Sequence, residues 1–147
     1  LYYVIINMQT TGLNRTTIDK FYTKTTITNK CCQNITQFIN IDYNNDVIIE
    51  PSAGNGSFIT QLSLLCNNCL FYDIQPEHTS IIEQDYLTLK YTELIRPSTN
   101  TKYHCVGNPP FGRQSSLAIK FIKHSAKFCD TISFILPKSF KKDSLKR

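Results

Sequence analysis

The stretch Asp46-Val47-Ile48-Ile49-Glu50-Pro51-Ser52-Ala53-Gly54-Asn55-Gly56-Ser57 constrains the fold of this chain more than any other. A short β-branched run without polar alternation is the pattern of a strand buried on both faces, and such strands belong to parallel sheets covered by helices. Pro51 ends the run, because proline lacks the N–H that a sheet ladder needs. Two glycines follow, and the apolar residues from Phe58 to Leu65 suit a helix packed on a sheet. In a strand, glycine loop and helix of this kind, a ligand can approach the backbone without meeting a Cβ, and the helix start offers unpaired N–H groups.

The alternation continues along the chain. A helix is expected from Thr25, which offers an N-cap, with Ile27, Cys31, Ile35, Phe38 and Ile39 at helical spacing. Cys69-Leu70-Phe71-Tyr72 reads as a second strand ending in Asp73, and the polar segment Gln75 to Gln84 as a helical turn with a short third strand ending near Asp85. Tyr103 to Gly107 is a fourth strand, Ser115 to Phe128 a helix carrying Leu117, Ile119, Phe121, Ile122 and Phe128, and Thr131 to Leu136 a fifth strand. Residues 1–13 read as an N-terminal extension and Asn14 to Lys24 as irregular and turn-rich, which leaves one domain over 14–147. The pattern predicts an α/β fold: a doubly wound, Rossmann-like, mostly parallel sheet, ending after about the fifth strand, with ligands at the carboxyl ends of its strands. A chain of 147 residues supports one core of this kind, not two.

Composition narrows the setting. With 41% hydrophobic and 18% charged residues the chain lies outside the range of intrinsic disorder. The net charge of +5 suits a polyanionic partner without demanding one. Arg113, Lys120, Lys123 and Lys127, with Lys138, Lys141, Lys142, Lys146 and Arg147, form either a solvated face or a phosphate-facing rim. Leu1-Tyr2-Tyr3-Val4-Ile5-Ile6 is too short for a signal core with its flanks or for a membrane span, so the six cysteines are expected as free thiols in a reducing, intracellular setting: cytoplasm, nucleus or a viral context, not secreted. Cys66-Asn67-Asn68-Cys69 has the spacing of half a zinc site, but nothing at ligand spacing completes it, and no metal is expected. The start at Leu1 and the stop in a lysine-rich stretch read as a fragment.

Three clusters carry chemistry. In the glycine loop, a dinucleotide site would need a small residue where Ile59 stands, and a phosphate-cradling Walker loop would need Gly-Lys-Ser/Thr; a different nucleoside ligand remains. Asp73 closes the next strand about 20 residues on, where a carboxylate can accept both hydroxyls of a ribose; an isolated Asp there is equally a turn residue. Finally, Gly107-Asn108-Pro109-Pro110-Phe111-Gly112 follows a strand directly. Two prolines stiffen this turn, cannot donate hydrogen bonds and leave carbonyls free to face a cleft. With the Asn108 amide they can present acceptors to a planar amino group.

Taken together, Phe21-Tyr22-Thr23-Lys24, Glu50-Pro51-Ser52-Ala53-Gly54-Asn55-Gly56, Asp73, Asp85-Tyr86-Leu87, Asn108-Pro109-Pro110-Phe111 and Phe134 to Phe140 resemble, in that order, the S-adenosylmethionine-dependent N6-adenine DNA methyltransferases of the gamma class. The resemblance covers roughly residues 15 to 140 and implies a class I methyltransferase fold, S-adenosyl-L-methionine as cofactor and N6 of adenine in DNA as the methyl acceptor. It implies catalytic roles for Asn108, Pro109, Pro110 and Phe111, the last as a stacking face for a splayed-out base. It places Tyr22 and Thr23 at the methionine end of the cofactor, and Glu50, Pro51, Ala53, Gly54 and Gly56 around it. Asp73 would take the ribose, Ile74 would lie beside the adenine, Asp85 would accept from its amino group and Tyr86 would pack on its ring. The implied partner is nucleic acid, with no membrane, and a target-recognition region or partner subunit lying beyond this chain. An RNA base or a protein glutamine amide as acceptor, or a non-catalytic cofactor-binding subunit, remain alternatives.

Overall fold

The computed structural model describes residues 22–138 and 140, together with the backbone of residues 2–8. Six strands form one sheet in which every pairing is parallel. They are β1 (Tyr2–Met8), β2 (Val47–Glu50), β3 (Cys69–Asp73), β4 (Ile82–Glu83), β5 (Tyr103–Gly107) and β6 (Thr131–Pro137), in the spatial order β1-β6-β5-β2-β3-β4. Helices α1 (Thr25–Phe38) and α2 (Ile59–Leu65) cover one face and α3 (Ser116–Ser125) covers the other, which is the doubly wound, Rossmann-like α/β arrangement.

The expected N-terminal extension is corrected here. Tyr2–Met8 is an edge strand lying along β6, from Tyr2 opposite Thr131 to Met8 opposite Pro137. An aromatic and β-branched run too short for a membrane is still long enough for a strand, which needs only about 5–6 residues.

Side-chain alternation explains why the sheet takes helices on both sides. In β2, β5 and β6 the residues Val47, Ile49, Cys105, Ile132 and Phe134 join Ala118 and Phe121 of α3 in one cluster. Their neighbours Ile48, Val106 and Ile135 join Cys31, Ile35 and Leu62 of α1 and α2 in the other. Successive residues of a strand point to opposite faces, so a continuous apolar run fills two cores at once.

Two helix ends differ from expectation. Thr25 does not cap α1: it is the first helical residue, Lys24 holds the cap position without a side-chain bond, and Thr28 Oγ1 turns back to the Thr25 carbonyl. Helix α3 stops at Ser125: beyond it the Lys127 and Phe128 N–H groups bond the carbonyls three residues earlier, those of His124 and Ser125, in a tightened closing turn.

The amino ends of the central strands are fastened by buried polar groups. Asp46 accepts the Asp42 N–H at 2.8 Å, the Lys102 N–H at 3.1 Å and His104 Nε2 at 3.1 Å, and His104 Nδ1 lies 2.8 Å from Thr131 Oγ1. An ionised carboxylate only accepts, so Nε2 donates to Asp46, while the Thr131 hydroxyl, which can donate or accept, meets Nδ1. Burial opposes the charge on Asp46, but the hydrogen bonds from Asp42, His104 and Lys102 outweigh it and hold the carboxyl below its ordinary range.

At the opposite ends the chain diverges. From β2 it continues through α2 to β3 on one side, and from β5 through α3 to β6 on the other. The gap between the carboxyl ends of β2 and β5 is therefore the switch point of the sheet, where open α/β folds place their ligands.

Candidate functional site

A cleft of about 320 Å³ opens at that switch point. Its walls come from both diverging loops: Pro51, Ser52 and Gly54 after β2, and Asn108, Pro109 and Pro110 after β5. The segment after β3 adds Asp73, Ile74 and Gln75, the turn after β4 adds Asp85, Tyr86 and Leu87, Tyr22 reaches in from ahead of α1, and Leu117 and Phe121 close the α3 side.

The glycine loop is shaped by hydrogen bonds to β3. The Ala53 N–H bonds the Tyr72 carbonyl at 2.8 Å, and the Gly54 N–H bonds Asp73 Oδ2 at 2.8 Å. Gly54 has φ of +54°, a conformation that L side chains rarely adopt, and a Cβ there would point into empty space at the cleft. Asp73 Oδ1 accepts the Gln75 N–H at 2.8 Å. The carboxylate thus ties two loops together and, with about four lone-pair sites in all, keeps acceptor capacity for a ligand. Ile74 beside it is 66% exposed, an apolar surface at the cleft for a flat ring.

Glu50 ends β2 beneath the cleft. It is almost fully buried, and its Oε2 has no hydrogen-bond partner. Burial, with Cys105 and Asp73 as neighbours, pushes its carboxyl up to about 8. The end of β5 presses against it: a Cβ on Gly107 would stand 3.3 Å from Glu50 Cγ and 3.4 Å from Pro51 Cδ. A side chain at 107 would push these neighbours back by a few tenths of an ångström, so glycine here serves a close approach and not a turn.

Asn108 has the second unusual environment. Its Nδ2 donates to Thr23 Oγ1 at 3.2 Å, its backbone carbonyl accepts from Ser52 Oγ at 3.3 Å, and its Oδ1 is buried with no partner. Four buried side-chain atoms lack a partner among the described residues; His124 Nε2 and Ser133 Oγ are the others, and only those of Glu50, at the end of β2, and Asn108, just after β5, flank the switch point. Tyr22 lies across the mouth, its hydroxyl donating to the Glu77 carboxylate at 2.8 Å.

Other residues singled out from sequence are placed differently. Phe111 does not line the cleft; it is half-buried against the α3-side core, and its carbonyl accepts the Leu117 and Ala118 N–H groups at the start of α3. Tyr86 touches the cleft but is a core residue: its ring stacks on Phe121 at 5.7 Å and its hydroxyl lies 2.8 Å from Ser125 Oγ. Ala53 is buried, and Gly56 faces Ile59 and His78. Asp85 lines the cleft and caps its own turn through the Leu87 N–H at 2.9 Å. Phe21 lies outside the described residues.

The cleft also takes in Ser52, Gln75, Leu87, Leu117 and Phe121, none of which the sequence marks as a site residue. Leu117 and Phe121 stand four apart on one helical face, which reads as core, and no sequence signal separates core from cleft wall there. Among the described residues no group of three or more His, Cys, Asp or Glu is placed to hold a metal ion, and no helix is long and apolar enough to cross a membrane.

A second hollow, about 450 Å³, lies at the amino ends of the strands and includes Asp42, Asp46 and Lys102. Asp46 there is fully engaged by its hydrogen bonds, so the hollow presents no uncommitted buried group. No family model, curated protein or solved structure matches this chain.

Proposed function

We propose that the chain is the catalytic domain of an S-adenosylmethionine-dependent methyltransferase acting on an exocyclic amino nitrogen, with N6 of adenine in DNA as the acceptor. The observation that carries this reading is the buried, unpartnered Oδ1 of Asn108 beside two prolines, in the same cleft as the Gly54 loop and Asp73.

The residues present fit the cofactor. A bare glycine backbone, a carboxylate with spare lone pairs at the end of β3, an exposed isoleucine next to it and a second carboxylate at Asp85 match a ribose and a flat base. Glu50 offers a buried, unpaired oxygen to a cationic group. Bound there, the cofactor supplies a methyl group on a positively charged sulfur, already electrophilic.

The protein's task is then to make an amino nitrogen nucleophilic. Conjugation to a purine delocalises its lone pair. Asn108 Oδ1 and the Pro109 carbonyl can accept its two N–H bonds, favouring a pyramidal nitrogen whose lone pair points at the methyl carbon. The positive charge that the nitrogen would gain on taking the methyl group would be stabilised by these two acceptors, and its surplus proton would pass to water. Rate comes from alignment and fixed dipoles, so no side-chain base is needed. An amino group inside a duplex cannot reach such a cleft, so the base must leave the stack. The exposed cations Lys120 and Lys123 on the outer side of α3, whose Leu117 and Phe121 line the cleft, and Lys127 in the turn after it, fit a phosphate backbone passing beside it.

The test is transfer of tritiated methyl from S-adenosylmethionine by the intact protein, with products identified by nucleoside mass spectrometry. N6-methyladenine, lost in Asn108→Ala, is the expected result. Methylation undiminished in that variant overturns the mechanism, and label in RNA or in protein glutamine moves the acceptor.

A further inference from the structure

We propose that Thr23 and Ser52 are positioning residues for the transfer step: their hydroxyls hold Asn108 from two sides and fix the plane of its amide beside the cleft. The assignment rests on the methyltransferase reading and gives Thr23 a role apart from any contact with the cofactor.

Nothing local to Asn108 fixes its amide. The residue before a proline is confined to extended backbone, but the terminal torsion of an asparagine is broad and roughly two-fold, so the amide plane can turn and its oxygen and nitrogen can exchange places. The restraint comes from far along the chain. Thr23, 85 residues earlier, takes the Nδ2 donor at 3.2 Å. Ser52, 56 residues earlier, donates to the backbone carbonyl of the same residue at 3.3 Å. One hydroxyl sets the amide and the other sets the peptide that carries it into Pro109.

The orientation matters because the amino substrate is a double donor. With Nδ2 bonded to Thr23, the remaining amide atom is an acceptor: Oδ1 is buried without a partner on a residue that lines the cleft, and can take one N–H. The flipped amide would set donor against donor. A threonine hydroxyl can serve either orientation on its own, and the substrate selects the one in which it accepts from Nδ2. Holding the plane then decides how well nitrogen, carbon and sulfur line up, and a displacement of about 1 Å at such a site costs on the order of 100-fold in rate.

Three variants of the intact protein test this with S-adenosylmethionine and unmethylated mixed-sequence DNA: Thr23→Val, Thr23→Ser and Ser52→Ala. Thr23→Val keeps the shape and removes the hydroxyl, and is expected to lower kcat by about 10- to 100-fold with the KM for the cofactor within about twofold. Thr23→Ser restores the hydroxyl and is expected to recover most of the rate, and Ser52→Ala to show a smaller loss in kcat alone. A Thr23→Val kcat equal to wild type overturns the proposal, and so does a loss that appears as raised cofactor KM, which would assign Thr23 to the cofactor instead. Wild-type protein that moves no methyl group at all sinks the functional reading, and there the Asn108 side-chain amide resonances decide the restraint by themselves. An Nδ2 proton pair split more widely than that of a free asparagine amide, narrowing towards it in Thr23→Val and widening again in Thr23→Ser, supports it; a pair insensitive to both substitutions overturns it.

Discussion

The two ends of strands β2, β5 and β6 carry buried polar groups of similar number and opposite condition. At the amino ends Asp46, His104 and Thr131 satisfy one another and the backbone. At the carboxyl ends Glu50 and Asn108 each bury an oxygen that no hydrogen-bond partner meets. A buried polar group without a partner costs about 1–3 kcal/mol, so the first arrangement holds the sheet together and the second weakens it. A fold keeps such a cost where a ligand repays it, and the contrast separates the fastening of this sheet from its proposed working end.

The sharpest way to break the contrast is to delete one group at each end. Asn108→Ala is expected to reduce methyl transfer by about 100- to 1,000-fold while the urea midpoint of unfolding barely moves. Asp46→Ala is expected to destabilise the fold by about 1–3 kcal/mol, because it leaves the buried His104 without its acceptor and releases two backbone N–H groups. A stability loss from the first, or none from the second, would erase the distinction.

Titration sharpens it further, because the two carboxyls carry opposite signs. The Asp46 carboxyl is lowered from 3.8, so its contribution is present above that value and disappears as the pH falls through the folded-state value. Glu50 is raised from 4.5 to about 8, so the folded state retains a proton that the unfolded chain gives up, and stability falls as the pH rises across that window. Glu50→Gln should flatten this slope and stabilise the free protein at pH 8 or above by a few kcal/mol at most, on the order of 1.4 kcal/mol for each tenfold difference in proton affinity between folded and unfolded chains. Equilibrium unfolding from about pH 2 to 9 reads both effects. A Glu50→Gln protein with an unchanged slope would move the titrating group elsewhere.

The smallest expected effect is on the surface. Replacing Lys120, Lys123 and Lys127 together by glutamine should reduce the slope of log binding constant against log salt for DNA by about 0.9 for each phosphate that these side chains neutralise, with fold stability unchanged. An unaltered slope would make that helix face ordinary solvated surface.

Much of this is readable in the sequence where local chemistry and tertiary role agree. Val47 to Glu50 and Tyr103 to Gly107 announce buried strands because both faces are covered, and the two loops that follow them are marked by glycine and proline. Tyr2–Met8 escapes such a reading when its composition is weighed only against longer apolar segments. Phe111 and Tyr86 show a different limit: an aromatic residue next to a loop can face a ligand or the core, and only the packing decides. Thr23 and Ser52 reach Asn108 by hydrogen bonds across 85 and 56 residues, a separation no local pattern encodes.

The position of β1 bears on how the sheet is assembled in time. Tyr2–Met8 lies against Thr131–Pro137, so its partner is on the order of 130 residues away along the chain, and closing a loop of that length carries a kinetic penalty. On the ribosome the segment emerges ahead of every other strand described here and is matched last. Until β6 has been synthesised, β1 is an unpaired edge of aromatic and branched residues, which makes the interval before that meeting the period of greatest exposure to aggregation or chaperone capture.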